Sequence, residues 1–591
     1  MLALRRLLLA LVCLLPLVTL VHKDDLDHWD VARSAMAAPD EFSYLLLADS
    51  FLHGHGVHLH DTIGRDTFYP PGYPLLLAAA AIPFTRAGQE LPIFLPHALN
   101  ALLLCAATLL TWFLARQLLP LLARDHRRFA VPPRAIPWLA LLIAALFAAD
   151  WHVLEGALFV FSEPAFTLAT LLWIFLALRW RGAEKSPDWT ASVPRTLLIA
   201  ALAMAAYTIR GAGLVCIAAT LLYPLLPGKT PFRQRLRALL LILLLAILTK
   251  IATRYTDLAP NSYPHQLVNG LTHGGQFSFA HPRDYPALAL RAADLAASHL
   301  DDLAQSFTPI PRVPPDLAPL SFIGHTFALV ALAGWLLQLI RPRSATRLLD
   351  LYLLFYIALY LLWPFNMPRF WTPILPFMLI YALHAARTLA DLLTPAARLA
   401  PIAALLLLLV LNAEELYLHL PAYQNRLNYV SDALADSAAA LLRRTPDPRR
   451  TYLCVAGGDE HFIYAWYLRK FPNGSQVKIC SPQPLPTGGD ERIEALILRV
   501  SAAADRQSLA APSAPPAPVF IAAYFSESLF QEVFSNLQKS NPVWMASHQP
   551  RKIFQRGIEA CLWKLPAPPS SAPASQPRPT DQIPSQFRRS P

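Results

Sequence analysis

FLPHALNALLLCAATLLTWFLA, residues 94–115, runs from Phe94 to Ala115 without one Asp, Glu, Lys or Arg. An α-helix rises 1.5 Å per residue, so a run of this length covers the roughly 30 Å hydrocarbon layer of a bilayer. Nothing in a water-soluble fold requires so long an uncharged segment. Working outward, comparable runs lie at 4–21, 136–150, 163–179, 196–209, 211–227, 237–253, 320–340, 349–364, 370–386 and 399–417. Together they predict a polytopic α-helical membrane protein with about eleven transmembrane helices. Composition agrees: 55% of the 591 residues are hydrophobic, 15% are charged, and the mean hydropathy is +0.37. A soluble surface needs more charge than that. The formal charge of +11 would suggest a nucleic-acid partner in a soluble protein. Here the basic residues sit in short loops between apolar runs, so no nucleic-acid partner is expected.

Those basic loops orient the chain, because Lys and Arg collect on the cytoplasmic side. With Arg5 and Arg6 inside, the loops carrying Arg124, Arg127 and Arg128, then Arg181 and Lys185, then Arg233, Arg235 and Arg237, then Arg341 and Arg343, all fall inside as well. The stretch 196–227 must be split at Arg210 for this alternation to hold. The first run resembles a signal peptide, but no small-residue cleavage site follows it, so it reads as an uncleaved first span. The C-terminus then lies outside, on the periplasmic face of a bacterial inner membrane.

Residues 1–418 therefore read as the membrane domain, with two long external loops, 23–92 and 254–319. The first is acidic and contains Asp24, Asp25, Asp27, Asp30, Asp40 and Glu41. Within it, Phe42 to Leu52 has apolar residues at helical spacing and predicts a helix lying on the membrane surface. Tyr73 to Phe84 is apolar but too short to span, which predicts an interfacial or re-entrant helix starting after Pro70-Pro71. Residues 419–565 predict a small external α/β domain, with strands at 451–456, 476–479 and 519–523 and helices at 460–470 and 526–538. Gly457-Gly458 follows the first strand without a G-x-G-x-x-G pattern, so no nucleotide cofactor is expected. The tail, 566–591, is rich in Pro and Ser and predicts disorder. Cys13, Cys105 and Cys216 read as small core residues, while Cys454, Cys480 and Cys561 allow at most one disulfide.

Asp40 reads first as a helix N-cap and Glu41 as a carboxylate favoured by the positive end of the helix dipole. A carboxylate on a rigid helix start at the membrane surface also suits a general base or a metal ligand. Arg210 and Arg369 stand at the outer ends of spans. There a guanidinium either snorkels to the interface or binds an anion. Glu163, opening a span, either complements the helix dipole or pairs with one of these arginines or with a metal. His53, His55, His58 and His60 match no established zinc spacing and read as a solvated loop.

The ordered set Asp40-Glu41-x-x-Tyr44, Tyr69-Pro70-Pro71-Gly72-Tyr73-Pro74, Ser162-Glu163-Pro164, Arg210-Gly-Ala-Gly-Leu and Arg369-Phe-Trp-Thr-Pro resembles the GT-C membrane glycosyltransferases. In pattern it is most similar to their protein O-mannosyltransferase-like and aminoarabinose-transferase-like branches. The resemblance implies a polyprenyl-phosphate sugar donor, a lipid, protein or glycan acceptor, and transfer at the external face. It maps the family's acidic first-loop residue onto Asp40, as base or as ligand of a divalent metal ion, with Glu41 its weaker neighbour. Tyr44, Tyr69, Tyr73, Glu163, Arg210 and Arg369 become candidate substrate-binding residues, and Glu163 a second metal candidate. In the aminoarabinose branch a Lys commonly precedes the paired prolines; here Tyr69 stands there. A transporter or flippase of lipid-linked saccharides would need charge at mid-membrane, of which the runs hold little. A polymerase or ligase would place arginines in a later loop, and Arg254, Arg283, Arg291 and Arg312 lie in the second one.

Overall fold

The computed structural model describes residues 2–21, 39–57, 69–85, 91, 94–125, 132–180, 188–226, 230–252, 267–268, 270–272, 276–308, 318–340, 346–393, 399–414 and 441–443, and five strands between 452 and 565. The expectations at His58, His60, Gly457-Gly458, the helices 460–470 and 526–538, and the tail lie outside these residues. By internal contacts the chain forms two units, Met1–Asp436 with Phe462–Lys470, and Ser437–His461 with Phe471–Pro591.

The first unit is helical: α1 (Leu2–Val21), α2 (Pro39–Leu52), α3 (Gly72–Ala81), α4 (Phe94–Asp125), α5 (Ile136–Ala149), α6 (Trp151–Leu158), α7 (Glu163–Arg179), α8 (Val193–Ile209), α9 (Leu214–Leu222), α10 (Phe232–Ala252), α11 (Tyr285–Gln305), α12 (Ala318–Leu339), α13 (Arg347–Leu361), α14 (Leu375–Leu393) and α15 (Ala400–Glu414). A helix stands at every apolar run read from the sequence. By length and composition, however, only two described helices suffice to cross a membrane alone, at Phe94–Leu122 and Phe322–Leu339. A third qualifies if α5 and α6, bent by 52°, act as one. Most of the others are shorter or interrupted, and α10, at 21 residues, carries Arg233, Arg235, Arg237 and Lys250, so the count of about eleven crossings remains an expectation that tilt and local thinning would have to accommodate.

The exposed surface is apolar in stripes. Leu4, Leu7, Leu11 and Leu14 on α1, and Leu240, Leu244, Leu248 and Ile251 on α10, recur every three or four residues and are exposed. Against water such a stripe is an aggregation hazard, whereas against lipid tails it is matched. Inside, α4 packs on α5 and α7, α12 on α14, and α11 on α12 and α13. On the inner face of α13, Tyr352, Tyr356 and Tyr360 stack in a column, with centroids 5.4 and 4.7 Å apart, that leads towards Phe370.

Two local expectations change. The helix over Phe42–Leu52 forms, but it does not lie with a polar face outward: Ser43, Tyr44, Ala48 and Ser50 are buried along with Phe42, Leu45 and Leu46. Small and aromatic residues on its presumed polar side let α3 close over it. Residues 254–319, expected to be a long loop, contain the amphipathic α11, which buries Leu288, Leu295, His299 and Leu303. The split at Arg210 holds. Arg210 is extended (φ −150°, ψ 136°), and Gly213 then turns the chain back so tightly that a Cβ there would stand 2.3 Å from the Ala206 carbonyl carbon.

The second unit holds a five-stranded mixed sheet in the order β2-β1-β3-β5-β4, from β1 (Tyr452–Val455), β2 (Lys478–Cys480), β3 (Val519–Tyr524), β4 (Arg551–Arg556) and β5 (Ala560–Leu565). The three strands read from sequence are its parallel part. The antiparallel β4–β5 pair was not read from the sequence. Cys454 is the register partner of Cys480, which places both on one face of the sheet.

Candidate active site

The site grows from the short irregular segment Phe159–Ser162 between α6 and α7. All four residues are buried, so their backbone groups need partners from elsewhere. Asn100 on α4 supplies two, its Nδ2 donating to the carbonyls of Phe159 (3.0 Å) and Phe161 (3.2 Å). His97, one turn earlier, bonds the Ala157 carbonyl through Nδ1. Glu41, 1% exposed on α2, accepts the Val160 N–H through Oε1. A first-loop carboxylate and two polar residues near the start of α4 thus hold one stretch of backbone, which then presents Phe161, Ser162 and Glu163.

Glu163 opens α7 and is 4% exposed. Its Oε1 lies 3.0 Å from Nη1 of Arg210 and 3.2 Å from Nε of Arg369. The guanidiniums come from separate elements, Arg210 from the break after α8 and Arg369 from a 3-10 turn, Pro368–Trp371, that precedes α14. Each is seated independently of the carboxylate. Arg210 Nη1 donates to Ser162 Oγ (3.1 Å), and its Cζ lies 4.9 Å from the Phe370 ring centre. Arg369 Cζ lies 3.7 Å over Phe161. Such cation–π seats hold a buried guanidinium in place without neutralising it.

The three tyrosines join this cluster. Tyr44 OH meets Ser162 Oγ at 3.0 Å, and its ring lies 4.8 Å from Tyr69 and 5.0 Å from Tyr73. Tyr73 OH donates to Asn100 Oδ1 (3.0 Å). The close approach that places Tyr73 here needs glycine beside it, because a Cβ on Gly72 would stand 2.6 Å from the Thr208 carbonyl carbon. Glu41, Tyr44, Tyr69, Tyr73, Glu163, Arg210 and Arg369 therefore converge. Asp40 lies in the first turn of α2 beside Glu41, and its side chain is outside the described residues.

The turn that carries Arg369 is held at two carbonyls, and the chain leading into it at a third. His299 Nε2 on α11 bonds the Trp363 carbonyl (2.7 Å), Ser306 Oγ donates to the Pro368 carbonyl (3.3 Å), and Tyr356 OH donates to the Phe370 carbonyl. Beside the cluster runs an apolar groove of ≈760 Å³, walled by residues that include Tyr207, Val215, Ile247, Phe355 and Trp363, with Lys250 also on its wall. It is in the size range of small-molecule pockets. Thr208 and Gly211, which flank Arg210 in sequence, line it too.

Sequence reasoning passed over Asn100, His97 and the bend at Asp150. Asp150 caps α6 through Oδ1, accepting from the Val153 N–H (3.0 Å). Its Oδ2 and His152 Nε2 are buried without a hydrogen-bond partner among the described residues. The ionisable string Asp150, His152, Glu155 at the end of an apolar run was the available signal. No group of three metal-ligating side chains converges among the described residues, and His53 Nδ1 instead bonds the Asp49 carbonyl (2.9 Å).

No protein-family model matches the chain, and no curated protein matches it in sequence. Solved structures do. The archaeal oligosaccharyltransferase AglB from Archaeoglobus fulgidus, in complex with an inhibitory peptide and a dolichol-phosphate, superposes with a TM-score of 0.51 at 12% identity, over 97% of this chain and 75% of that one. An oligosaccharyltransferase structure from the same organism, complexed with zinc and sulfate, gives 0.49 at 12% identity, over 94% and 72%. ArnT from Cupriavidus metallidurans bound to undecaprenyl phosphate gives 0.49 at 14% identity, over 95% and 99%. These structural neighbours are GT-C superfamily membrane glycosyltransferases.

Proposed function

We propose, taking as premise the fold this chain shares with the GT-C oligosaccharyltransferase AglB, that it is a membrane glycosyltransferase moving a sugar from a polyprenyl-phosphate donor to an acceptor hydroxyl at the external face of a bacterial inner membrane. One observation carries the reading: a buried guanidinium and a half-buried one, from separate elements, converge on a single anionic oxygen beside an apolar groove. A polyprenyl phosphate needs both features together, an apolar trough for the chain and fixed cations for the headgroup. Guanidinium suits phosphate because its donors form a rigid planar fork.

In this reading the prenyl chain lies in the groove and its phosphate reaches Arg210 and Arg369, with Lys250 adding a third cation. The bond between the anomeric carbon and the phosphate oxygen breaks, and the electron pair leaves with the phosphate. The two guanidiniums stabilise that developing charge. The acceptor oxygen forms the new bond and its proton passes to Asp40. Glu41 holds the Val160 backbone, so we assign it to positioning rather than to proton transfer. Tyr44, Tyr69 and Tyr73, all buried, support the site from behind, Tyr44 through Ser162 and Tyr73 through Asn100.

A divalent cation would be held by Asp150 and His152, whose buried Oδ2 and Nε2 have no hydrogen-bond partner among the described residues and supply a carboxylate and an imidazole, with Asp40 our choice for a third ligand. When bound, such an ion would help neutralise the departing phosphate. Glu163 suits this role less, because the guanidiniums on either side of it repel a cation. Chelation by EDTA is expected to lower transfer at least tenfold, with recovery on adding back a divalent ion, and Asp150→Asn is expected to abolish the recovery. Transfer indifferent to EDTA would remove the metal from the scheme.

The deciding experiment supplies radiolabelled polyprenyl-phosphate sugars to the purified protein in vesicles. Sugar transfer supports the reading, lipid movement without bond breakage points to a flippase, and chain growth points to a polymerase. The groove has its own test. Ala358→Trp, on its wall, is expected to raise KM for a long-chain donor about tenfold while leaving a short-chain analogue nearly unaffected. Equal effects on both would place the chain elsewhere.

A further inference from the structure

Glu163 raises a physical problem for a phosphate site, because its carboxylate occupies the place where the phosphate oxygens would have to go. Three observations define the problem. Oε1 is within ion-pair distance of both guanidiniums, yet it makes no hydrogen bond with any described group. The arginines have seats that do not depend on it, Ser162 Oγ and Phe370 for Arg210, and Phe161 for Arg369. Glu163 is also the first residue of α7, whose N-cap, Ser162, makes no side-chain cap. The first-turn N–H groups of α7 are therefore an alternative resting place for the carboxylate, favoured by the helix dipole.

The chemistry of the donor supplies the reason for such an arrangement. A sugar linked through one phosphate to a lipid is a phosphodiester with a single negative charge. After transfer, the lipid phosphate is a monoester, and near neutral pH it carries between one and two charges, since its second pKa is about 6. Two fixed guanidiniums in a water-poor site therefore hold product more tightly than donor, and product release is often the slow step of an evolved enzyme.

We infer that Glu163 is a built-in competitor for the donor phosphate, a carboxylate that yields the two arginines when the lipid phosphate arrives and reclaims them to expel the spent one. The inference rests on the reading of Arg210 and Arg369 as phosphate ligands. It makes Glu163 a positioning residue that exchanges partners, with no bond to substrate.

The test measures binding of undecaprenyl phosphate to the full-length protein in nanodiscs, with neutral undecaprenol as reference. Glu163→Gln removes the competing charge and is expected to bind the phosphate about tenfold more tightly, the scale of a charge-pair coupling. In turnover it lowers both KM and kcat, and product inhibition deepens. A residue that merely holds the fold together would raise KM or leave it unchanged. Should Glu163→Gln fail to fold, Glu163→Asp keeps the charge and withdraws it by one methylene, and a gain of roughly threefold is expected. Unchanged or weaker phosphate binding in the folded variants overturns the inference. Wild-type protein that binds undecaprenyl phosphate no better than undecaprenol overturns the phosphate-site reading itself. Discrimination by wild type with no gain in either variant removes only the role of Glu163.

Discussion

Asp40→Asn is expected to lower kcat by roughly 10²–10⁴-fold, the range that a positioned general base contributes, while the protein still inserts and still binds its lipid donor. The expectation comes from how α2 is built in. The helix carrying Asp40 is buried from Glu41 to Ala48, and Glu41 is fixed to the Val160 backbone. We place the base at the start of this helix because proton abstraction requires a group held at a fixed position. The amide keeps the shape and removes the basicity, so folding and donor affinity serve as internal controls. Single-turnover rates with pre-bound donor separate loss of chemistry from loss of binding. A variant that retains more than a tenth of wild-type kcat would take Asp40 out of the mechanism, as would labelling of a cysteine at position 40 from the cytosolic side.

Arg369→Ala carries the second large effect. It removes one of two guanidiniums aimed at the developing phosphate charge, and losing one such preorganised donor costs about 10²–10³-fold in rate. Arg369→Lys restores the charge but neither the planar fork nor the stack on Phe161, so recovery is expected to be partial, within roughly tenfold of Ala. Initial rates over a range of donor concentrations read this directly as kcat/KM. Wild-type kinetics in Arg369→Ala would mean that the arginine merely anchors α14, and the phosphate reading would then rest on Arg210 and Lys250 alone.

Much of this arrangement was legible because it follows local rules. Apolar runs of bilayer length mark helices. The alternation of basic loops calls for a break at Arg210, and Glu163-Pro164 is a helix start by charge and by proline geometry. The parts that stayed hidden depend on partners far away in sequence. Asn100 and His97 look like lapses in an apolar run until the backbone of 157–161 is set against them. The burial of α2 could not be read from its own residues, because a helix with small residues on its polar side is amphipathic at a membrane surface and fully buried when another helix covers it. The amphipathic pattern of α11 was masked by the prolines and histidines around it. The β4–β5 pair, with Arg551, Lys552 and Lys564 in its strands, lacks the continuous apolar pattern that marks the parallel strands.

The carbonyl attachments in and before the Arg369 turn bear on how quickly the site can respond. A catalytic loop that closes over its substrate rearranges its backbone in microseconds to milliseconds. Here Trp363, Pro368 and Phe370 are tethered to α11 and α13, so only side-chain torsions are left to adjust. Side-chain rotation needs no backbone rearrangement of that kind. Encounter with the donor and departure of the spent carrier, rather than assembly of the cationic cradle, would then set the pace of each cycle.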